Sequence, residues 1–110
     1  MDLESFKKLE LKIYSFSVNV FSFVKTLSNK NIATHKEKEL LGNANQLYCL
    51  FLVELEKMEA GISPDLESCV KSIENCITLI KDYELSGILL NEKVDLAIDA
   101  NQILRSLNLV

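Results

Sequence analysis

Apolar residues recur every three or four positions along most of the chain, the spacing that places them on one face of an α-helix. The repeat is interrupted by a capping box of Thr34 and Glu37, by Gly61 and by Gly87, all typical of helix ends. These breaks predict four helices, over residues 3–28, 35–60, 65–86 and 92–108. Because the connections are short, the predicted fold class is all-α: a single domain, residues 1–110, forming an up-down-up-down antiparallel four-helix bundle.

The first predicted helix carries two apolar stripes. The stripe expected to face the core comprises Phe6, Leu9, Ile13, Phe16, Val20, Phe23 and Leu27. The second stripe comprises Leu11, Tyr14, Val18 and Phe21. Together they cover roughly 240° of the helix, more than a surface helix of a bundle needs to bury.

The other three helices each have a predicted core stripe. In the second helix it comprises Leu41, Ala44, Tyr48, Phe51 and Leu55, while Leu50 and Val53 project among polar residues. In the third helix, one heptad position holds Leu66, Ile73 and Ile80, and the other holds Cys69, Cys76 and Tyr83. In the fourth it comprises Leu96, Ala100, Ile103, Leu104 and Leu107. Such stripes are typical of a bundle seam.

The surplus apolar side chains predict a homo-oligomer. Burying one large apolar side chain contributes about 1.5–3 kcal/mol, so about four to six of them offset an association cost of about 4–15 kcal/mol. The predicted oligomer interface comprises Leu11, Tyr14, Val18, Phe21, Leu50 and Val53. Two alternatives stay open. Either the first helix lies centrally and buries both stripes in one monomer, or the protein is a monomeric adaptor whose groove binds another protein.

Charge divides unevenly along the chain. The net charge is −4, yet the residues up to Lys38 carry +3 and the remainder −7. Phosphate binding relies on clustered Lys and Arg, so the acidic balance disfavours a nucleic-acid partner. The candidate phosphate contacts are Lys8, Lys12, Lys25 and Lys30. A solvated face is the alternative interpretation of these lysines.

Three features favour a cytoplasmic protein. The opening MDLESFKK has acidic residues before any apolar run, unlike a secretory signal. The longest apolar run, Tyr48 to Val53, is far shorter than the roughly 20 residues of a membrane span, so no membrane partner is expected. Cys49, Cys69 and Cys76 lack metal-site spacing and fall at apolar helical positions, which predicts buried free thiols.

No constellation of residues predicts an enzyme, a cofactor or a metal ion. His35 is the single histidine, and HKEKELLG resembles a phosphotransfer-histidine motif only in part, because Glu39 occupies the motif's glycine position. The capping box also puts His35 in the first helical turn, which favours an ordinary exposed histidine over a histidine phosphotransfer domain. The remaining cluster, Glu54, Glu56 and Glu59, fans around the second helix and is interpreted as a solvated face.

Two segments resemble a known family of small bacterial four-helix bundles. FKKLELKIYSFSVNVFSFVKTL is similar to the family's opening helix, and KDYELSGILLNEKVDLAIDANQILRSLNLV to its closing turn and last helix. The family comprises proteins encoded in ribosomal RNA intervening sequences and the related accessory variability proteins of diversity-generating retroelements. The intervening-sequence branch has Ser-Asn-x-Ala-Glu-Gly in its second helix, where this chain reads LLGNANQLYCLF. No family binding residue is therefore carried over.

The resemblance implies a ring-shaped homopentamer that acts without catalysis. In the retroelement branch it also implies a reverse transcriptase and its RNA as partners. Combined with the apolar surplus, the resemblance predicts a non-enzymatic, self-associating scaffold or accessory protein. The alternatives are a monomeric protein-binding adaptor and a histidine phosphotransfer domain.

Overall fold

The computed structural model describes residues 2–30, 34–87 and 91–109, and this part of the chain contains four α-helices. They are α1 (Leu3–Asn29), α2 (Lys36–Glu59), α3 (Glu67–Leu85) and α4 (Asn91–Asn108). Each predicted helix boundary lies within two residues of the observed one. The all-α fold class is confirmed, because periodicity and capping are local signals that agree along the chain.

Each helix packs against two neighbours. α1 contacts α2 and α4, and α3 contacts the same two helices. Within the described residues no Cα atom of α1 lies within 8 Å of one in α3, and none of α2 within 8 Å of one in α4, so the helices form a square in cross-section. The bundle measures 47 × 19 × 19 Å. α1 therefore occupies a corner of the bundle and presents a broad outer surface.

The core is filled by the predicted stripes of α1, α3 and α4. All seven residues of the α1 core stripe are at most 4% exposed, and the six heptad residues of α3 are buried. The buried residues of α4 are Leu96, Ala100, Ile103 and Leu107, while Leu104 is half-buried. Aromatic pairs join the helices: Phe6 stacks on Phe51 with ring centroids 4.6 Å apart, and Phe23 meets Tyr83 edge-on at 5.1 Å.

The core row of α2 differs from the prediction. Ala44 and Phe51 are buried as predicted, but the other buried apolar residues are Leu40 and Leu47. The predicted core residues Leu41, Tyr48 and Leu55 are half-buried beside that row. One residue along a helix corresponds to a rotation of about 100°, and two adjacent columns of α2 are apolar. Packing against α1 and α3 decides which column is buried, and the pattern of α2 alone does not.

Two further predictions for α2 are wrong. Glu54 is only 8% exposed instead of solvated. Its carboxylate accepts a hydrogen bond from the Asp65 N–H at 2.8 Å and pairs with the Lys57 ammonium at 3.1 Å, which ties α2 to the segment before α3. Cys49 is exposed, whereas the two cysteines of α3 are buried as predicted.

Glycines end α2 and α3, as predicted. Gly61 has φ +80°, its N–H donates to the Met58 carbonyl at 3.1 Å, and the Ile62 N–H donates to the Lys57 carbonyl at 2.8 Å. These two hydrogen bonds define a Schellman motif, which needs a left-handed residue at this position. Gly87 has φ +77° at the corresponding position after α3.

Candidate functional site

The predicted interface residues of α1 lie next to the line along which α1 meets α2. Side-chain contacts mark this line: Ser17 Oγ donates to Asn45 Oδ1 at 2.9 Å, the Tyr48 hydroxyl donates to Glu10 at 3.2 Å, and the Tyr14 and Tyr48 rings lie 5.4 Å apart. Partial burial and the neighbouring Glu10 raise the pKa of Tyr48, so its hydroxyl stays protonated and donates. The two helices run in opposite directions, and these contacts join residues near the middle of α1 to residues near the middle of α2. The two midpoints therefore lie at the same level along the bundle.

The second stripe of α1 is on the surface. Leu11 is 64% exposed, Tyr14 52%, Val18 45% and Phe21 56%. The four residues follow one another at alternating spacings of four and three, so they form a continuous apolar row along the helix. The alternative in which α1 lies centrally and buries both stripes is therefore wrong, because α1 has neighbours on two sides only.

The two predicted interface residues of α2 do not join this row. Leu50 is half-buried against the core on the side of α2 that faces α3, where it lines a groove with Ser72 and Asn75. Val53 is 50% exposed, but it lies about 140° around α2 from Tyr48 and thus on another side of the helix. The structure separates both residues from the α1 stripe.

Other residues of α2 extend the row instead. Leu52, half-buried, and Cys49, exposed, lie about 40° and 100° around α2 from Tyr48, on the outer side next to α1. We call the combined surface the apolar patch: Leu11, Tyr14, Val18 and Phe21 of α1 with Cys49 and Leu52 of α2. No signal in the sequence identified the α2 members, because their place depends on how α2 is rotated against α1.

Charged residues of opposite sign stand at the two ends of the apolar patch. The end near Phe21 holds two exposed lysines, Lys25 on α1 and Lys38 on α2. The opposite end holds Lys7 together with Glu10, Glu56 and Glu59. The face that α1 and α2 share is therefore basic at one end and acidic at the other. We call this surface, the apolar patch with its two charged ends, the α1/α2 face.

The predicted phosphate contacts do not form one cluster. Lys8, Lys12, Lys25 and Lys30 are all exposed. Lys8 pairs with Glu4 at 3.8 Å and lines a shallow groove with Lys12 and Ser106, on the α4 side of α1. Lys25 lies about 140° around the helix from Lys12, on the α2 side. These lysines are distributed along and around α1 rather than gathered at one site.

His35 is exposed, as predicted for an ordinary histidine, and it immediately precedes α2 instead of lying in its first turn. Its neighbours form the capping box, in which the Thr34 N–H donates to the Glu37 carboxylate at 2.7 Å. The Thr34 hydroxyl accepts from the Lys36 N–H at 3.1 Å instead of from the Glu37 N–H. The hydroxyl of Tyr83 also donates to the Glu37 carboxylate. This network fastens the end of α3 to the start of α2.

A polar groove runs between α2 and α3. Its lining includes Glu39, Thr78 and Asp82, and the Asn75 amide donates to the Asn43 amide oxygen at 3.2 Å. In the described part of the chain, no group of three or more His, Cys, Asp and Glu side chains is arranged to hold a metal ion.

No helix in the described ranges is long and apolar enough to cross a membrane. Comparison of the chain with protein-family models, with curated proteins and with solved structures finds no match. The family resemblance of the two terminal segments stays a prediction.

Proposed function

We propose that this protein is a non-enzymatic, self-associating four-helix bundle that acts as a scaffold or accessory protein. One observation carries the proposal. The four residues of the second α1 stripe are 45–64% exposed, whereas the core stripe of the same helix is at most 4% exposed. Contiguous apolar surface of this kind is characteristic of interaction sites, because single exposed apolar residues are common and continuous rows are not.

The apolar patch is large enough for association. Each of the four α1 residues is about half exposed, so covering it contributes about half of the 1.5–3 kcal/mol of full burial. Two copies that cover each other's stripes would gain about 6–12 kcal/mol, which is comparable to the association cost of about 4–15 kcal/mol. The half-buried Leu52 and the charged ends add to this.

The test is light scattering at micromolar concentration on the parent protein and on a Val18→Gln, Phe21→Gln double variant. We expect an assembled parent and an apparent dissociation constant raised about 100-fold or more in the variant. The free energy of unfolding of the isolated subunit should change by less than about 1 kcal/mol, because both positions are exposed.

The matched control is a Val53→Gln, Ile98→Gln double variant. These side chains are 50% and 51% exposed, like those of the stripe, but lie on other surfaces of the bundle. Assembly of the control should equal that of the parent. A monomeric parent would contradict self-association and leave the monomeric adaptor, in which the same patch binds another protein.

The family resemblance adds two elements to the proposal. The first is a reverse transcriptase as protein partner. The test is whether a reverse transcriptase co-purifies with this protein. The second is a ring of five copies, which requires each copy to use two different contact surfaces and is therefore an alternative to an assembly of two copies. The measured mass of the assembly distinguishes five copies from other numbers.

A further inference from the structure

We infer that the α1/α2 face binds a second copy of this chain through the same face, with the two copies antiparallel and related by a two-fold axis. This inference rests on the proposed self-association and names its partner surface and orientation. It follows from three features: the position of the other exposed apolar residues, the signs of the two charged ends, and the spacing of Lys38 and Glu56.

The described residues offer no second apolar face for the first one to bind. Outside the apolar patch, the exposed large hydrophobic side chains each lie on a different helix or connection: Leu3, Val53, Ile62, Leu85, Ile98 and Leu109. Several of these lie at helix ends or in connections. Of the described surfaces, the apolar patch of a second copy is therefore the one that can cover this patch with a matching apolar row. This is an isologous contact, which closes at two copies, whereas a ring of five needs two different surfaces.

The charged ends determine the orientation. A parallel pair would place the lysine ends of both copies together and the acidic ends together, which is unfavourable. An antiparallel pair places Lys25 and Lys38 of one copy over the acidic end of the other. That end also holds Lys7, but its three glutamates outnumber it. The same antiparallel axis sets Lys25 of each copy against Lys7 of the other, because these lysines are also 18 residues apart on α1. The net charges of the facing ends are nevertheless opposite only in the antiparallel arrangement.

The spacing of two residues on α2 fits the same axis. Lys38 and Glu56 are 18 residues apart, which is five helical turns, so they project from the same side of α2 about 27 Å apart. Their midpoint is level with the middle of the α1 stripe, as the Ser17–Asn45 contact shows. A two-fold axis through the centre of the apolar patch therefore brings Lys38 of each copy against Glu56 of the other.

Charge-reversal variants test this pairing. Lys38→Glu puts two Glu–Glu pairs in the dimer and Glu56→Lys puts two Lys–Lys pairs, so each variant alone should dissociate about tenfold more readily than the parent. The variant with both changes restores two opposite-charge pairs and should assemble like the parent. A mixture of the two single variants should also recover assembly, as a heterodimer in which both pairs are Lys–Glu or Glu–Lys.

Controls are the reversals Lys81→Glu and Glu74→Lys, which change the net charge equally at exposed positions of α3. Both should leave assembly unchanged. The measurement is sedimentation or light scattering at low salt, where such pairs are least screened. The parent should have twice the 12.5 kDa mass of one chain.

The outcomes separate this inference from the proposed function. If the parent assembles and Val18→Gln, Phe21→Gln disrupts it, but the charge variants show no loss or no recovery, self-association stands and the antiparallel pairing is overturned. A parent mass of five copies likewise overturns the two-fold pairing alone. A monomeric parent overturns both.

Discussion

Replacing Tyr83 with phenylalanine would remove one hydrogen bond between the end of α3 and the start of α2. Tyr83 is 1% exposed, and its hydroxyl donates to the Glu37 carboxylate. Its ring packs edge-on against Phe23 with centroids 5.1 Å apart, a contact that phenylalanine keeps. The substitution therefore changes the hydrogen bond while leaving the core volume almost unaltered.

The expected cost is about 1.5 kcal/mol in the free energy of unfolding. A hydrogen bond to a charged group contributes about 1.5–3 kcal/mol, and the lower end applies because Glu37 keeps the donors of Thr34. Tyr48→Phe is the matched control. Its hydroxyl bonds Glu10 at 3.2 Å at a more exposed site, so we expect a loss of about 0.5 kcal/mol or less.

The assay is urea unfolding followed by far-ultraviolet circular dichroism, at one fixed protein concentration because association would make stability concentration-dependent. The difference between parent and Tyr83→Phe should be clear at neutral pH. A Tyr83→Phe protein as stable as the parent, or less affected than Tyr48→Phe, would refute the role assigned to the Glu37 contact.

The same variant should show a pH dependence. Burial raises the pKa of Glu37, but the hydrogen bonds from Thr34 and Tyr83 outweigh it and hold that pKa below its ordinary value of 4.5. A carboxyl with a lowered pKa in the folded state stabilises the fold above its ordinary pKa and loses that contribution as pH falls through the folded value. The penalty of Tyr83→Phe should thus be full at neutral pH and shrink below pH 4.5. A penalty that grows in acid would contradict this sign.

Two further predictions concern glycines and thiols. Gly61→Ala should lower the free energy of unfolding by about 1 kcal/mol because φ at this position is +80°. Gly42→Ala should raise it by about 0.5–1 kcal/mol, because Gly42 lies inside α2 with open space around the added carbon. Urea unfolding that gave both changes the same sign would contradict this. In the dissociated subunit, which the Val18→Gln, Phe21→Gln variant provides, a thiol reagent should modify the exposed Cys49 rapidly, while Cys69 and Cys76, whose pKa values burial raises to about 11 and about 12, react only on unfolding. Because Cys49 belongs to the apolar patch, association of the parent should slow its labelling. Rapid labelling of more than one thiol in the native state would argue against this burial.

The sequence by itself determined the helices and three of the four core stripes. The α1 core stripe was predicted completely, and the helix ends at Gly61 and Gly87 were placed correctly. These features depend on residues a few positions apart, through backbone hydrogen bonding, the left-handed conformation of glycine and the helical repeat. The surplus stripe of α1 was likewise recognisable, since a helix at a bundle corner cannot bury so wide an apolar sector.

The tertiary structure decided how α2 is rotated about its axis and at which level along the bundle it lies against α1. That rotation buries Leu40 and Leu47, turns Leu50 towards α3 and exposes Cys49, and none of these follows from the pattern of α2, which is apolar over adjacent columns. The level of α2 against α1 places the midpoint between Lys38 and Glu56 roughly opposite the middle of the second α1 stripe. Both quantities are set by side chains of neighbouring helices packing together, so they depend on residues far apart in the sequence and only the folded bundle fixes them.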